Sequence, residues 1–157
     1  MTERGLHLGS AEATVAAGHR LALALRPAGL DRMVIFLVGE LGAGKTTFAR
    51  GFLRALGHTG RVPSPTYTLI EPYALDPFLV YHIDLYRLVN PSEADDLGLA
   101  ELPGPGVVML VEWPERAGAR LDKPDLTVAL EVVPDGRAVV ISAGSASGRN
   151  LLGATKA

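Results

Sequence analysis

Cysteine is absent from the chain, which removes disulfides and thiolate-held metals from the ways it could be stabilised or could act. Also missing is any apolar run approaching the roughly eighteen residues that a membrane-spanning helix needs. The opening MTERGLHLGS has neither the basic start nor the apolar stretch of a secretory signal, so a cytoplasmic location without membrane association is expected. No block of lysine or arginine stands out, and the formal net charge is −2. A protein that grips nucleic acid unaided normally presents a basic face, so neither DNA binding nor strong RNA binding by the isolated chain is expected.

What is present is organised around MVIFLVGELGAGKTTFA, residues 33–49. Met33 to Val38 is an unbroken apolar run with β-branched Val34, Ile35 and Val38, too short for an ordinary helix and suited to a central strand covered on both faces. Gly39, Gly44, Lys45 and Thr46 then fit the G-x-x-x-x-G-K-[ST] pattern of a P-loop, with an additional Gly42 inside it. Glycines let the backbone turn with positive φ and aim successive N–H groups at one phosphate, and the following helix start adds its partial positive charge. Lys45 would reach the β- and γ-phosphates, the Thr46 hydroxyl would hold Mg²⁺, and Thr47 would serve helix entry. The expected nucleotide contacts in the loop are Gly39, Leu41, Gly42, Ala43, Gly44, Lys45, Thr46 and Thr47. At 157 residues the chain has room for such a core but not for a large second domain.

In chain order, Ser10 followed by residues 12–25 reads as an N-cap and an amphipathic helix, with Val15, Leu21 and Leu25 near helical spacing. His19 within it has no second histidine at metal-site spacing and receives no role. Thr47 to Leu56 reads as the helix after the loop, closed by Gly57. Prolines 63, 65 and 72 bar a helix in the next segment, while Tyr67 to Ile70 and Phe78 to Ile83 suit two short strands joined around Asp76-Pro77. Ser64 and Thr66 sit in a hydroxyl-rich loop where nucleotide switches place a phosphate sensor; a proline-stiffened connection with incidental hydroxyls reads equally well. Two apolar runs end in an acid, FLVYHID at Asp84 and VVMLVE at Glu112, and a strand-end carboxylate beside a P-loop can hold a hard cation or orient a water. Ser92 could cap a short acidic helix. LTVALEVV and RAVVISA form a hairpin around Pro134-Asp135-Gly136, and residues 144–157 read as a small, polar, poorly ordered tail after a single P-loop ATPase domain over residues 1–143.

The combination GELGAGKTT, SPTYTLIEPY, YHIDLYRL and VEWPER, in that order, resembles the bacterial TsaE family, formerly YjeE, of small ATPases required for threonylcarbamoyladenosine formation on tRNA. The resemblance spans roughly residues 10 to 133 and rests most on the HIDLYR and EWPE strings. It implies a P-loop NTPase-like α/β three-layer sandwich with a mixed central sheet and β-hairpins. ATP and Mg²⁺ are the implied cofactors and the TsaB and TsaD proteins the implied partners. It further implies catalytic roles for Lys45, Asp84 and Glu112, Mg²⁺ contacts from Thr46 and Glu112, a switch-like place for Thr66, an approach of Thr14 to the nucleoside, and a place for Trp113 beside the site.

Three other readings compete. DKPD at Asp122 to Asp125 lies near the [NT]-K-x-D pattern that reads guanine, but it lacks the first carboxamide and precedes a strand where a base-reading loop should follow one. A small-molecule kinase would use Arg116 and Arg120 as a lid clamp. A non-hydrolytic nucleotide-sensing adaptor would use the same residues as a slow ATPase.

Overall fold

The computed structural model describes residues 2–156. Its centre is a seven-stranded mixed sheet: β1 (Glu3–Leu8), β2 (Met33–Val38), β3 (Ile70–Leu75), β4 (Phe78–Asp84), β5 (Val107–Glu112), β6 (Leu126–Val133) and β7 (Gly136–Ala143). These lie in the order β1-β7-β6-β2-β5-β4-β3. The inner strands β6, β2, β5 and β4 run parallel, and antiparallel β3 on one side and β7 with β1 on the other complete the mixed sheet. The apolar run of β2 therefore lies between two parallel neighbours, with Met33, Ile35 and Leu37 in the core of one face and Val34 and Phe36 packed into that of the other.

One face carries α1 (Ala11–Leu23), α2 (Lys45–Ala55) and α4 (Ala146–Ala154) over a core that includes Leu21, Phe48, Phe52, Leu110, Val128 and Leu151. The other is covered by the irregular segments 85–106 and 113–121, with the short α3 (Glu93–Asp96) and the 3-10 turns Leu99–Glu101 and Pro114–Arg120, around a core of Ile83, Leu85, Met109 and Val111. The sheet thus has a layer on each side, one of them with little regular helix.

Ser10 caps α1 as its sequence position implies, its hydroxyl accepting from the Ala13 N–H at 3.1 Å. The end of α2 is a Schellman closure: Gly57 N–H donates to Arg54 O and His58 N–H to Leu53 O, with Gly57 at φ 108°. Helices α1 and α2 cross at backbone contact. A Cβ on Gly18 would lie 2.1 Å from Phe48 O, and one on Gly51 1.9 Å from Val15 O.

Three sequence expectations are corrected. The expected loose tail over 144–157 is, in its described residues 144–156, a docked helix: Ser145 caps α4 by accepting from Gly148 N–H, and Leu151 and Leu152 are fully buried. The first strand of the 70s hairpin starts at Ile70 rather than ending there, because Leu69 N–H donates back to Pro65 O at 2.8 Å and closes a turn over the preceding residues. Ser92 does not cap α3; its hydroxyl and N–H both donate to the Asn90 side chain.

Candidate functional site

The parallel strands β2, β5 and β4 end on the same edge of the sheet, and each delivers something there. After β2 the chain enters the 39–44 loop and then α2. The loop takes backbone angles that L side chains rarely adopt, with Gly42 at φ 77° and Gly44 at φ 108°. Gly44 caps α2 without a side-chain acceptor, and the first helical bond comes only from Phe48 N–H to Gly44 O. The N–H groups of the first turn are thus left for an external acceptor, at the positive end of the helix dipole.

Strands β4 and β5 bring Asp84 and Glu112 side by side, since the two are register partners. Both are buried, each 3% exposed. Thr46, at the start of α2, donates its hydroxyl to Glu112 at 2.9 Å and 3.1 Å to the two carboxylate oxygens. Asp84 accepts from Ser64 Oγ at 3.2 Å, from Thr66 Oγ1 at 3.3 Å and from Tyr86 N–H at 2.9 Å. The 64–66 loop is thereby tied to a strand-end acid, a link that only the tertiary fold can make.

Lys45 is almost fully buried. Its Nζ donates to Gly39 O at 2.6 Å and Glu40 O at 2.9 Å, and sits 4.4 Å from the centre of the Trp113 ring. Burial holds its pKa below the ordinary 10.5, against the opposing pull of the Glu112, Asp84, Glu115 and Glu40 carboxylates. Trp113 itself takes left-handed angles, φ 57° and ψ 48°, unusual for a bulky residue. That reversal immediately after β5 lets Glu112 and Trp113 both face the same cleft.

The cleft has a volume of about 460 Å³. It takes Leu41, Gly42, Gly44, Lys45, Thr46 and Thr47 from the loop and helix start, together with Ser64, Thr66, Asp84 and Glu112. Thr14 also lines it, from α1. Gly39 and Ala43 do not: Gly39 turns its carbonyl to Lys45, and Ala43, 1% exposed, turns its carbonyl to an arginine. At the far end the wall is Leu8, Gly9, Ser10 and Ala11 from the β1–α1 junction and Gly136 and Arg137 from the β6–β7 hairpin.

Three site residues escape a reading of the sequence. Arg137 donates from Nε to Ala43 O at 3.0 Å and from a terminal nitrogen to Gly42 O at 3.1 Å, bracing the loop from a hairpin far along the chain. Tyr86 packs against Trp113 with ring centres 4.9 Å apart. His82 donates to Glu112 at 2.6 Å. For His82 a signal existed: it is a polar residue inside an apolar strand, two positions before Asp84 and so on the same face. Arg137 leaves no comparable trace.

The rival motifs resolve differently. Asp125 spends its carboxylate on Val34 N–H at 2.8 Å and Ser145 Oγ at 2.7 Å, where β2 begins, at the opposite end of that strand from the glycine loop. It cannot read a base in this cleft. Arg120 pairs with Asp95 on the surface, whereas Arg116 lies over the Tyr86 ring at 5.2 Å, so the two do not form one clamp.

A mixed sheet with a glycine loop, a lysine, a helix start and strand-end carboxylates on one edge is the architecture of a P-loop NTPase-like α/β protein. The solved crystal structure of Bacillus subtilis YdiB has this fold, with a TM-score of 0.75 at 29% identity over 98% of this chain and 94% of the other. A family model for threonylcarbamoyl adenosine biosynthesis protein TsaE matches residues 8–139, and the chain belongs to the TsaE family. It is 38% identical over 122 residues to the tRNA threonylcarbamoyladenosine biosynthesis protein TsaE of Haemophilus influenzae, covering 78% of this chain and 77% of the relative. To the protein of the same name from Rickettsia felis it is 36% identical over 133 residues, covering 84% of this chain and 75% of that one. Among the described residues no helix is long and apolar enough to cross a membrane.

Proposed function

We propose that the protein is a cytoplasmic, Mg²⁺-dependent ATPase, slow when alone, that supports threonylcarbamoyladenosine formation on tRNA together with the TsaB and TsaD proteins. The observation that carries the reading is the meeting of Lys45, Thr46, Asp84 and Glu112 at one edge of the sheet, around a helix start whose N–H groups have no capping side chain. Its place in the pathway follows from the family and from what its relatives are named for.

The polyphosphate would lie over the 42–47 backbone, with the α2 dipole and Lys45 meeting its charge. The nucleoside would extend toward Thr14 and the Leu8 to Ala11 junction, which line the cleft together with Gly136 and Arg137 of the β6–β7 hairpin. Thr46 and Glu112 offer a hydroxyl and a carboxylate within 2.9 Å of each other, hard oxygen donors of the kind magnesium takes, so the donor set fits. When bound there, the cation would neutralise charge on the phosphates. Asp84 would orient the attacking water. Its present acceptance of the Ser64 and Thr66 hydroxyls couples that carboxylate to the loop that senses the terminal phosphate.

To leave its resting place, Lys45 would exchange two carbonyl acceptors and the Trp113 face for phosphate oxygens. The exchange replaces neutral acceptors by charged ones, so it runs toward the nucleotide. Titrating ATP and GTP into the protein by calorimetry, with and without Mg²⁺, tests the binding half of the proposal. ATP should bind and GTP should bind more weakly; no heat with either would reject it. Reconstituting tRNA threonylcarbamoylation with TsaB and TsaD tests the pathway half, modification being expected to depend on this chain.

A further inference from the structure

We infer that His82 is a positioning residue for the Glu112 carboxylate, holding it in the orientation that receives the cation. The inference rests on the reading of Glu112 as a Mg²⁺ contact and adds a residue to it.

His82 lies in β4, with Leu110 of β5 as its register partner, while Asp84 pairs with Glu112. Successive side chains of a strand alternate faces, so His82, Asp84, Leu110 and Glu112 share one face, and His82 meets Glu112 on the diagonal. The imidazole is inaccessible to solvent, and its Nε2 is 2.6 Å from Glu112 Oε2. A carboxylate has only acceptors, so Nε2 carries the hydrogen of this bond.

Nδ1 is buried and has no hydrogen-bond partner among the described residues. An unpaired buried polar atom is costly, and an apolar ring of similar size would avoid the cost. What the imidazole offers in return is the single bond at Nε2. That bond has a definite geometric effect. Oε2 of Glu112 is held between His82 on one side and Thr46 Oγ1 on the other, at 2.6 Å and 2.9 Å, while Oε1 has only the longer 3.1 Å contact to Thr46. The carboxylate is thus fixed chiefly at Oε2, and Oε1, with its weaker contact, keeps acceptor capacity for a cation in the cleft that Glu112 lines. Groups that orient a metal-binding side chain in this way typically change metal affinity by about 10- to 100-fold when removed.

The test uses the full chain, ADP and Mg²⁺, with binding measured by calorimetry at a series of Mg²⁺ concentrations. His82→Phe should raise the Mg²⁺ concentration needed for the metal-dependent gain in ADP affinity by about 10- to 100-fold, with ADP affinity in the absence of Mg²⁺ unchanged within about two-fold. His82→Gln, whose amide N–H can reach the same oxygen, should recover most of the loss. A folded His82→Phe protein with a normal Mg²⁺ requirement would overturn the inference, as would a Gln variant no better than Phe. A measurement on the unmutated protein stands apart from folding of the variants: ¹⁵N resonances of His82 should report the Nε2–H tautomer and shift when Mg²⁺ is added to the ADP complex. The Nδ1–H tautomer, or no shift, contradicts the role. Glu112→Ala separates the two levels. If it leaves the Mg²⁺ requirement unchanged, the reading of Glu112 fails; if it raises that requirement while His82→Phe does not, only the role of His82 fails.

Discussion

The charge of Lys45 is held by competing effects, and that makes it testable by pH. Burial disfavours the ammonium and lowers its pKa below 10.5, while four carboxylates pull the other way. Bound phosphates would favour the charged form again, so the pKa rises on binding and the complex takes up a proton. Nucleotide affinity should therefore be full below the lowered pKa and fall as pH rises through it, earlier than an ordinary lysine would dictate. Lys45→Ala should weaken ATP by about 1.5 to 3 kcal/mol, ten-fold or more, and flatten this alkaline limb. Calorimetry in buffers of different ionisation enthalpy gives both affinity and proton uptake. The neighbouring acids divide by their partners. Glu112, bonded to Thr46, should on mutation to Ala shift the Mg²⁺ dependence of binding, whereas Asp84→Asn should leave ATP bound but slowly hydrolysed. Exchanged phenotypes would exchange the roles.

At the scale of elements, the loop is held from two directions, and each support has its own expected outcome. The β6–β7 hairpin reaches it through Arg137, whose two bonds to Ala43 and Gly42 carbonyls fix the turn from outside. Arg137→Ala should weaken nucleotide binding by about ten-fold, in proportion to the two bonds lost, while moving the melting temperature little. From beneath, α2 rests on α1 at Gly51, where a Cβ would meet the Val15 carbonyl at 1.9 Å. Gly51→Ala should force the helices apart and cost about 1 to 3 kcal/mol of stability, read by urea denaturation.

These supports also show where the sequence was legible. The β2 strand, the loop, α2 and both strand-end acids follow from local pattern, because an apolar run, glycines and a lysine carry their meaning within a few residues. Edge strand β1 does not: ERGLHL has a weak alternation and becomes a strand by pairing Glu3 to Leu8 with Arg137 to Ser142. Likewise α4 is built from small residues, and it is held by Leu151 and Leu152 docking into the core, a gain invisible in its composition. The start of β3 moved because Leu69 adopts φ 66° in a turn that Pro65 and Asp84 stabilise, one partner being fifteen residues further on. Among site residues, Arg137 and His82 escaped for the same reason, since each acts through a contact across the sheet.

For the whole molecule, the proposed ATP turnover depends on company. Arg116 is stacked over Tyr86 and Trp113 and Arg137 is bonded to the loop, so neither is placed to meet charge on a transferring phosphate without rearrangement. P-loop hydrolysis without such a group, or without an ordered sensor loop, is slower by about 10³- to 10⁵-fold. A partner that orders the Ser64–Thr66 loop or brings its own cation would restore turnover. The most direct measurement is steady-state phosphate release from ATP by the purified chain, with Lys45→Ala as the blank, as TsaB and TsaD are titrated in. Slow release above the blank is expected for the chain alone, and a large, saturable rise with the pair. Release that never exceeds the blank, or that is already fast and indifferent to the partners, would contradict it.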